Sequence, residues 1–144
     1  MYQKAVQLER CLLAAIVVAS VALVSGCNQY RLAPLQRNVP VGAAEPAPLP
    51  AQEHAIEVAL AKRHWAVSQK TPGRYIATLS ERVHRVTVNI DYGAKGIFID
   101  YVDSTELMYE RDGKGRETIH RKYNTWVKNL ADDIRILLVQ ARAS

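Results

Sequence analysis

The feature that most constrains this chain is a stretch of ten residues, 83–92, in which apolar and polar side chains alternate. Successive side chains of a β-strand point to opposite faces, so a period of two predicts a strand with one buried face and one wet face. The side predicted to be buried carries His84, Val86, Val88, Ile90 and Tyr92. A strand of this kind needs a second layer of structure to cover its apolar face.

Neighbouring stretches predict that this strand belongs to an antiparallel sheet. Residues 65–67 and 74–80 alternate before it, with a Thr-Pro-Gly turn at residues 71–73 between them. Residues 97–103 alternate after it, across a glycine-bounded turn at residues 93–96. Connections this short join antiparallel neighbours, so the sequence predicts a meander of three or four strands.

Two stretches with helical spacing flank the strands. Residues 51–64 follow Pro50, which suits the first position of a helix. Residues 117–141 carry the stronger pattern, an apolar stripe that recurs every three or four residues. The stripe consists of Ile119, Tyr123, Trp126, Leu130, Ile134 and Leu137. Both helices can cover the same sheet face, so residues 51–144 are predicted to form an α+β two-layer sandwich in the order helix, meander, long carboxyl-terminal helix.

The amino-terminal residues predict export and lipidation. Residues 12–24 form a run of 13 without a charge, which as a helix spans about 20 Å, less than the roughly 30 Å hydrocarbon core of a bilayer. A signal peptide at residues 1–26 is therefore favoured over a membrane-spanning helix. The run ends in Leu-Val-Ser-Gly-Cys at residues 23–27, which resembles a bacterial lipobox. The resemblance implies that the chain is cleaved after residue 26 and acylated at Cys27.

The residue after the cysteine bears on the destination. In the enterobacterial sorting pattern, an aspartate after the cysteine retains a lipoprotein in the inner membrane. This chain has Asn28 at that position. The pattern thus implies a lipid anchor in the outer membrane, with the domain facing the periplasm. Removal of 26 residues from the chain of 144 leaves 118, in which Cys27 is the sole cysteine. No disulfide and no free thiol are then expected, even in an oxidising compartment.

Residues 27–50 are predicted to comprise the lipidated cysteine and a tether rich in proline and alanine. Five of the six prolines of the chain lie in this stretch. Proline fixes φ and removes a backbone donor, so an extended linker is expected rather than a helix or a central strand. At roughly 3.1 Å per residue, such a linker would reach up to about 70 Å and hold the domain well clear of the membrane.

The domain beyond the tether resembles small lipoproteins of proteobacterial envelopes whose role is generally unassigned. The resemblance rests on the tyrosine-bearing strands and three short sequences. These are Arg-Val-His at 82–84, Tyr-Val-Asp-Ser at 101–104 and Ile-His-Arg-Lys-Tyr-Asn-Thr-Trp-Val at 119–127. It covers residues 56–134. It implies a class of protein and a location in the envelope, and attaches no reaction to the domain.

Candidate catalytic groups are sparse. Serine chemistry is conceivable where Asp103 and Ser104 meet His84 or His120, but no Gly-x-Ser-x-Gly sequence is present, and the simpler interpretation is that Asp103 and Ser104 begin a turn. Asp100 and Asp103 are predicted to alternate onto opposite strand faces, which excludes a paired-carboxylate site. His84 is expected to bond a backbone or carboxylate group, because the mature domain has no His-x-x-x-His or Cys-x-x-Cys pair for a metal. No catalytic residue, metal or cofactor is predicted.

The remaining candidates predict binding surfaces. A groove between the last helix and the loop at residues 104–115 is expected to present Tyr109 and His120 to a partner. The candidate binding residues are Arg82, His84, Tyr101, Asp103, Ser104, Tyr109, His120 and Tyr123. A second candidate surface is an apolar patch on the otherwise polar sheet face. The patch consists of Ile76, Val83, Phe98 and Val102.

Charge and layout together predict a binding protein. The formal net charge is +5, and in the envelope the available anions are lipid headgroups, lipopolysaccharide phosphates and peptidoglycan carboxylates rather than nucleic acid. The leading hypothesis is a non-enzymatic, membrane-anchored lipoprotein that binds or assembles with another envelope component, first of all a protein. Two alternatives stay open: an enzyme or enzyme accessory acting on cell-wall material, and a binder of anionic glycans or lipid headgroups. The oligomeric state is left open.

Overall fold

The fold is built on a five-stranded antiparallel sheet whose inner face packs with two helices in one apolar core. The computed structural model describes residues 31–42 and 46–143. In chain order the elements are β1 (Leu32–Pro34), β2 (Val39–Pro40), α1 (Leu49–Lys62), β3 (Ala66–Thr71), β4 (Arg74–Glu81), β5 (His84–Gly93), β6 (Gly96–Thr105), β7 (Glu110–Arg111), β8 (Glu117–His120) and α2 (Lys122–Ala143). The large sheet has the strand order β2-β6-β5-β4-β3, and a small sheet has the order β1-β8-β7. The predicted α+β class and long carboxyl-terminal helix are confirmed, and the meander of three or four strands is present as β3–β6.

The strand predicted from alternation is β5, at the centre of the large sheet. Val86, Val88, Ile90 and Tyr92 are all buried, as the period of two predicts. His84 is half-buried where the strand begins. The pairing of β5 with β4 runs from start to end without a shift, so the apolar faces of both strands enter the core together.

β6 departs from the predicted alternation near its end. Its register against β5 shifts between Thr87 and Val88, which leaves Val102 as an extra residue in β6. This β-bulge turns Ser104 to the core side of the sheet and places Asp103 on the outer side, opposite Thr87. Without the bulge, the period of two would have given the inward position to Asp103.

Two predictions for this region are wrong. Asp103 and Ser104 do not begin a turn, because β6 continues through both of them to Thr105. Asp100 and Asp103 do not lie on opposite faces either, since both lie on the outer face of the sheet. The reason is the inserted residue, which advances the alternation by one position between the two aspartates.

The two helices differ from prediction mainly at their starts. α1 begins at Leu49 rather than at residue 51, with Pro50 in its first turn. α2 begins at Lys122 rather than at residue 117, because Glu117–His120 pairs with β7 as a strand and already buries Ile119. The apolar stripe of α2 is confirmed. Its buried members are Tyr123, Val127, Leu130, Ile134 and Leu138.

Much of the stretch predicted as a tether belongs to the domain. Residues 33–144 cluster as one compact unit, within which the amide of Leu35 donates to the carbonyl of Glu117 at 3.0 Å and that of Val41 to the carbonyl of Ile97 at 2.9 Å. Val41 lies in the core. The prolines did not prevent strand formation because β1 and β2 lie at sheet edges, where a missing donor can face away from the ladder. The predicted signal peptide and Cys27 lie outside the described residues.

Candidate functional site

Three predicted binding residues, Tyr101, Tyr109 and Tyr123, meet in one cluster. The ring of Tyr101 stacks on that of Tyr109 with 5.1 Å between centroids and meets that of Tyr123 edge-on at 5.5 Å. Each phenol oxygen has a protein partner: the Ser104 hydroxyl for Tyr101, the Glu117 carboxylate for Tyr109 and a main-chain carbonyl for Tyr123. The polar tips of the cluster are therefore engaged within the protein, which is how buried tyrosines satisfy their hydroxyls.

Arg37 and Glu117 fasten the amino-terminal segment to this cluster. The guanidinium donates to both carboxylate oxygens of Glu117, at 2.6 and 2.8 Å, and to the carbonyl of Tyr101 at 3.1 Å. Donation from Arg37 and from Tyr109 holds the pKa of Glu117 at about 2, below its ordinary value of 4.5. Sequence reasoning missed both residues because Arg37 was placed in the tether, and no local pattern signals a pair 80 positions apart.

Acid should loosen this attachment. A carboxyl group whose pKa is depressed in the folded state stabilises the fold above its unfolded pKa, and that stability is lost as pH falls through the folded pKa. We therefore expect the Arg37–Glu117 contact to weaken between about pH 4.5 and pH 2. Carboxyl-carbon NMR should give Glu117 a midpoint near 2, with the side-chain Nε–H signal of Arg37 moving in parallel. A Glu117 midpoint near 4.5 would contradict this expectation, and Glu117→Gln should remove the Arg37 transition near pH 2.

His84 and His120, also predicted binding residues, meet at one end of the sandwich. Their ring centroids are 5.7 Å apart, and the ring of Trp126 lies 6.3 Å from that of His84. His84 Nδ1 lies 2.7 Å from the carbonyl oxygen of Glu106, so the predicted backbone partner is confirmed. His120 Nδ1 accepts a hydrogen bond from the amide of Lys122, where α2 begins.

Beside these histidines lies an open cleft of about 490 Å³ that holds both tryptophans of the chain. We call it the tryptophan cleft. It is lined by Lys62, Arg63, His64, Trp65, Leu79, Ser80, Glu81, Trp126 and Asn129. Trp65 is only 5% exposed and forms part of the floor, whereas Trp126 is half-buried. The cleft therefore combines an apolar floor with a polar and charged border.

The end of α1 places Trp65 in the cleft. His64 has a left-handed backbone with φ of 59°, and its amide donates to the carbonyl of Ala61. The amide of Trp65 donates to the carbonyl of Leu60 at 2.9 Å, which completes a Schellman motif. Sequence reasoning assigned Trp65 to the strand pattern and missed it. The sequence signal that could have identified this helix end is an apolar residue, Trp65, five positions after the apolar Leu60, although the usual glycine is missing.

Five cations lie at the tryptophan cleft or near its residues in the chain, and we call them the cationic rim. They are Lys62, Arg63, Arg82, Arg121 and Lys122. Lys62 and Arg63 end α1 and line the cleft, and Lys122 Nζ lies 6.0 Å from the Trp126 centroid. Arg82 follows Glu81 in the β4–β5 loop, and Arg121 immediately precedes α2. The predicted binding residue Arg82 thus belongs to the same end of the molecule as His84 and His120.

Two carboxylates partly neutralise the positive charge of the cationic rim. Asp133, only 5% exposed, accepts hydrogen bonds from Arg63 and from Lys62, and these bonds lower the pKa of Asp133. Glu81 lies 3.8 Å from Lys122 Nζ. The five rim cations against these two carboxylates give a formal surplus of three positive charges, two of them on Arg82 and Arg121, which lie near the cleft residues in the chain. An open surface with this surplus attracts anions.

The conceivable catalytic set is divided between different surroundings. The Ser104 hydroxyl bonds Tyr101, His84 Nδ1 lies against a backbone carbonyl, and Asp103 lies on the outer face of the sheet. This arrangement does not form a chain of nucleophile, base and orienting acid. Among the described residues, no group of three or more histidines, cysteines or carboxylates is placed to hold a metal ion.

The apolar patch proposed for the outer sheet face is interrupted. Ile76 pairs with Asn89, and Phe98 pairs with Asp91, so polar β5 side chains lie between the two apolar ones. Val83 is 68% exposed but lies in the β4–β5 loop rather than on the sheet. The placement of Val83 on the sheet face is therefore wrong, and Ile76 and Phe98 are separated by polar side chains of β5.

Comparison with known proteins gave no relative on which to base a function. No protein-family model, curated protein or solved structure matches the chain. In the described part of the chain, neither helix has the length and apolar character needed to cross a bilayer.

Proposed function

We propose that this chain is a lipid-anchored binding module of the bacterial envelope, whose α+β domain binds another envelope protein without catalysing a reaction. The observation that carries the proposal is the tryptophan cleft with its cationic rim. Its volume of about 490 Å³ falls in the range of small-molecule sites, roughly 300–1,000 Å³, so it has room for one or two side chains of a protein partner. Tryptophan and arginine are also the residue types that contribute most to protein–protein binding energy.

The distribution of polar groups favours binding over catalysis. Ser104, Tyr101 and Tyr109 bond one another or Glu117, and Asp103 lies outside their cluster. The charged and aromatic groups that line the tryptophan cleft are two cations, the carboxylate of Glu81, the imidazole of His64 and the two tryptophan rings. Such groups recognise a partner by charge and apolar contact, and this arrangement gives the alternative of cell-wall enzymology no activated nucleophile.

The anchor rests on the lipobox. Acylation of Cys27 would attach the domain to the membrane, since a single acyl chain binds marginally and several hold firmly. Asn28 after the cysteine supports the outer membrane as the destination, with the domain in the periplasm.

Two cysteine variants test the anchor. In intact-mass measurements and radiolabelled-palmitate incorporation, the native protein should start at residue 27 and carry acyl chains. Cys27→Ala should lose the label and leave the detergent-extracted membrane fraction, whereas the matched variant Cys11→Ala should be processed and labelled normally because residue 11 leaves with the leader. An unmodified terminus, or a chain that still starts at Met1, would refute the anchor.

Site-specific photo-crosslinking in living cells tests the binding role. A photoreactive amino acid at position 129 lies in the tryptophan cleft, and the same group at position 95 lies in the β5–β6 turn as the control. We expect one defined protein adduct from position 129, none at position 95, and loss of the adduct when Trp126→Ala is added. If position 129 gives no adduct, or both positions give the same ones, the proposed function is wrong.

A further inference from the structure

We infer that the tryptophan cleft binds an acidic segment of the partner protein, in which carboxylates meet the cationic rim and an apolar side chain meets the tryptophans. This inference rests on the proposed function and adds the chemistry of the partner. The segment of the partner is an exposed loop or terminus in which carboxylates flank an aliphatic or aromatic residue.

The apolar part of the cleft fits a side chain better than a broad flat ligand. Trp65 is almost wholly buried and exposes little of its ring. The ring of Trp126 has the Lys122 ammonium 6.0 Å from its centroid and the imidazole of His84 at 6.3 Å, so its neighbourhood is already occupied by two side chains. A sugar ring needs an open aromatic face, whereas an aliphatic side chain needs only apolar surface, which Trp126 and Leu79 supply in the cleft.

The cations of the rim differ in whether they already pair with a carboxylate of the protein. Lys62 and Arg63 already bond Asp133. Arg82 and Arg121, in contrast, make no salt bridge with any residue in the described part of the chain. Arg82 also lies in an exposed two-residue loop, with a positive φ of 56°. These two guanidiniums are therefore the cations available to bind carboxylates, and their planar donor groups match a carboxylate in bidentate fashion.

The location of the tryptophans gives a direct assay. Trp65 and Trp126 are the only tryptophans in the chain and both line the cleft, so intrinsic tryptophan emission reports on this site alone. The probe is a tryptophan-free peptide of alternating glutamate and leucine, with glutamine–leucine and lysine–leucine peptides of equal length as controls. We expect a saturable change in emission with the glutamate peptide only, and weaker binding as salt is added because exposed charges are screened.

Charge reversals identify the residues that bind. Arg82→Glu and Arg121→Glu should each raise the Kd for the glutamate peptide about tenfold. Lys95→Glu is the matched control, since it makes the same change in net charge in the β5–β6 turn at the other end of β5, and it should leave the Kd unchanged. All three positions are exposed, so the variants are expected to fold.

The outcomes separate the inference from the proposed function. If the glutamate peptide gives no saturable change, or if Arg82→Glu and Lys95→Glu weaken it equally, the acidic-segment inference is overturned. A saturable response to soluble peptidoglycan fragments or to phosphatidylglycerol vesicles in place of the peptide would overturn it in favour of a glycan or a lipid. In both cases the proposed function still stands if the adduct at position 129 persists in cells. Absence of that adduct refutes the proposed function itself.

Discussion

Replacing Gln52 by leucine is expected to lower the free energy of unfolding by about 2–4 kcal/mol, although Gln52 is far from the tryptophan cleft. Its side-chain amide is 1% exposed and makes three hydrogen bonds to main-chain atoms. Nε2 donates to the carbonyls of Ala47 at 2.6 Å and Gly93 at 3.1 Å, and Oε1 accepts the Gly93 amide at 3.0 Å. Gln52 thereby joins the start of α1 to the end of β5.

Stability is lost because leucine fills the space of Gln52 but makes none of its hydrogen bonds. Each main-chain group left without a partner in a buried place costs about 1–3 kcal/mol, with part recovered where water reaches Gly93. Urea denaturation with tryptophan emission measures the change. Gln69→Leu on the exposed edge strand β3 is the matched control and should stay within about 0.5 kcal/mol of wild type. Equal midpoints for both variants would contradict the role assigned to Gln52.

Tyr123→Ala is expected to cost about 3–5 kcal/mol, the range for removing a large aromatic side chain from a core. Tyr123 is fully buried, its ring meets Tyr101 edge-on, and its hydroxyl donates to the carbonyl of Gln36 at 3.2 Å. Burial also raises the pKa of Tyr123 above its ordinary value. The alanine variant therefore removes core contacts together with one attachment of the amino-terminal segment.

Three variants separate these contributions. Tyr123→Phe keeps the ring and loses only the hydroxyl, so a cost of about 1 kcal/mol is expected. Tyr109→Ala removes a partly exposed ring of the same cluster and should cost less than Tyr123→Ala. Hydrogen exchange should show faster exchange at residues 33–41 in Tyr123→Ala than in Tyr109→Ala. If Tyr123→Phe were as destabilising as Tyr123→Ala, the hydroxyl rather than the packing of the ring would dominate.

The parts of the fold that the sequence predicts are those with a long regular period. β5 alternates over a full strand, and α2 repeats its apolar stripe over many turns, so the interior face of each is evident. Short strands are different. β2 has two residues and both β1 and β2 contain proline, and they exist only because another strand presents an edge to them. The bulge at Val102 also escapes prediction, because alternation continues undisturbed on both sides of it.

Only part of the candidate site was predicted from the sequence. His84 and His120 were identified because their residue types suggested chemistry, and the structure brings the two rings together. Trp65 and Arg63 were missed because their placement depends on a helix end and on a contact with Asp133, 70 positions away in the case of Arg63. Such contacts leave no periodic trace in the sequence.

The docking of the amino-terminal segment bears on where the domain can work. Ala33, the first residue of the compact unit, follows Cys27 by only six positions, and six extended residues span about 20 Å. With acyl chains on Cys27, the domain would stay within that distance of the lipid headgroups and would not reach deep into the periplasm. Such an anchor would thereby raise the effective concentration of a partner held in the same membrane and disfavour partners farther away.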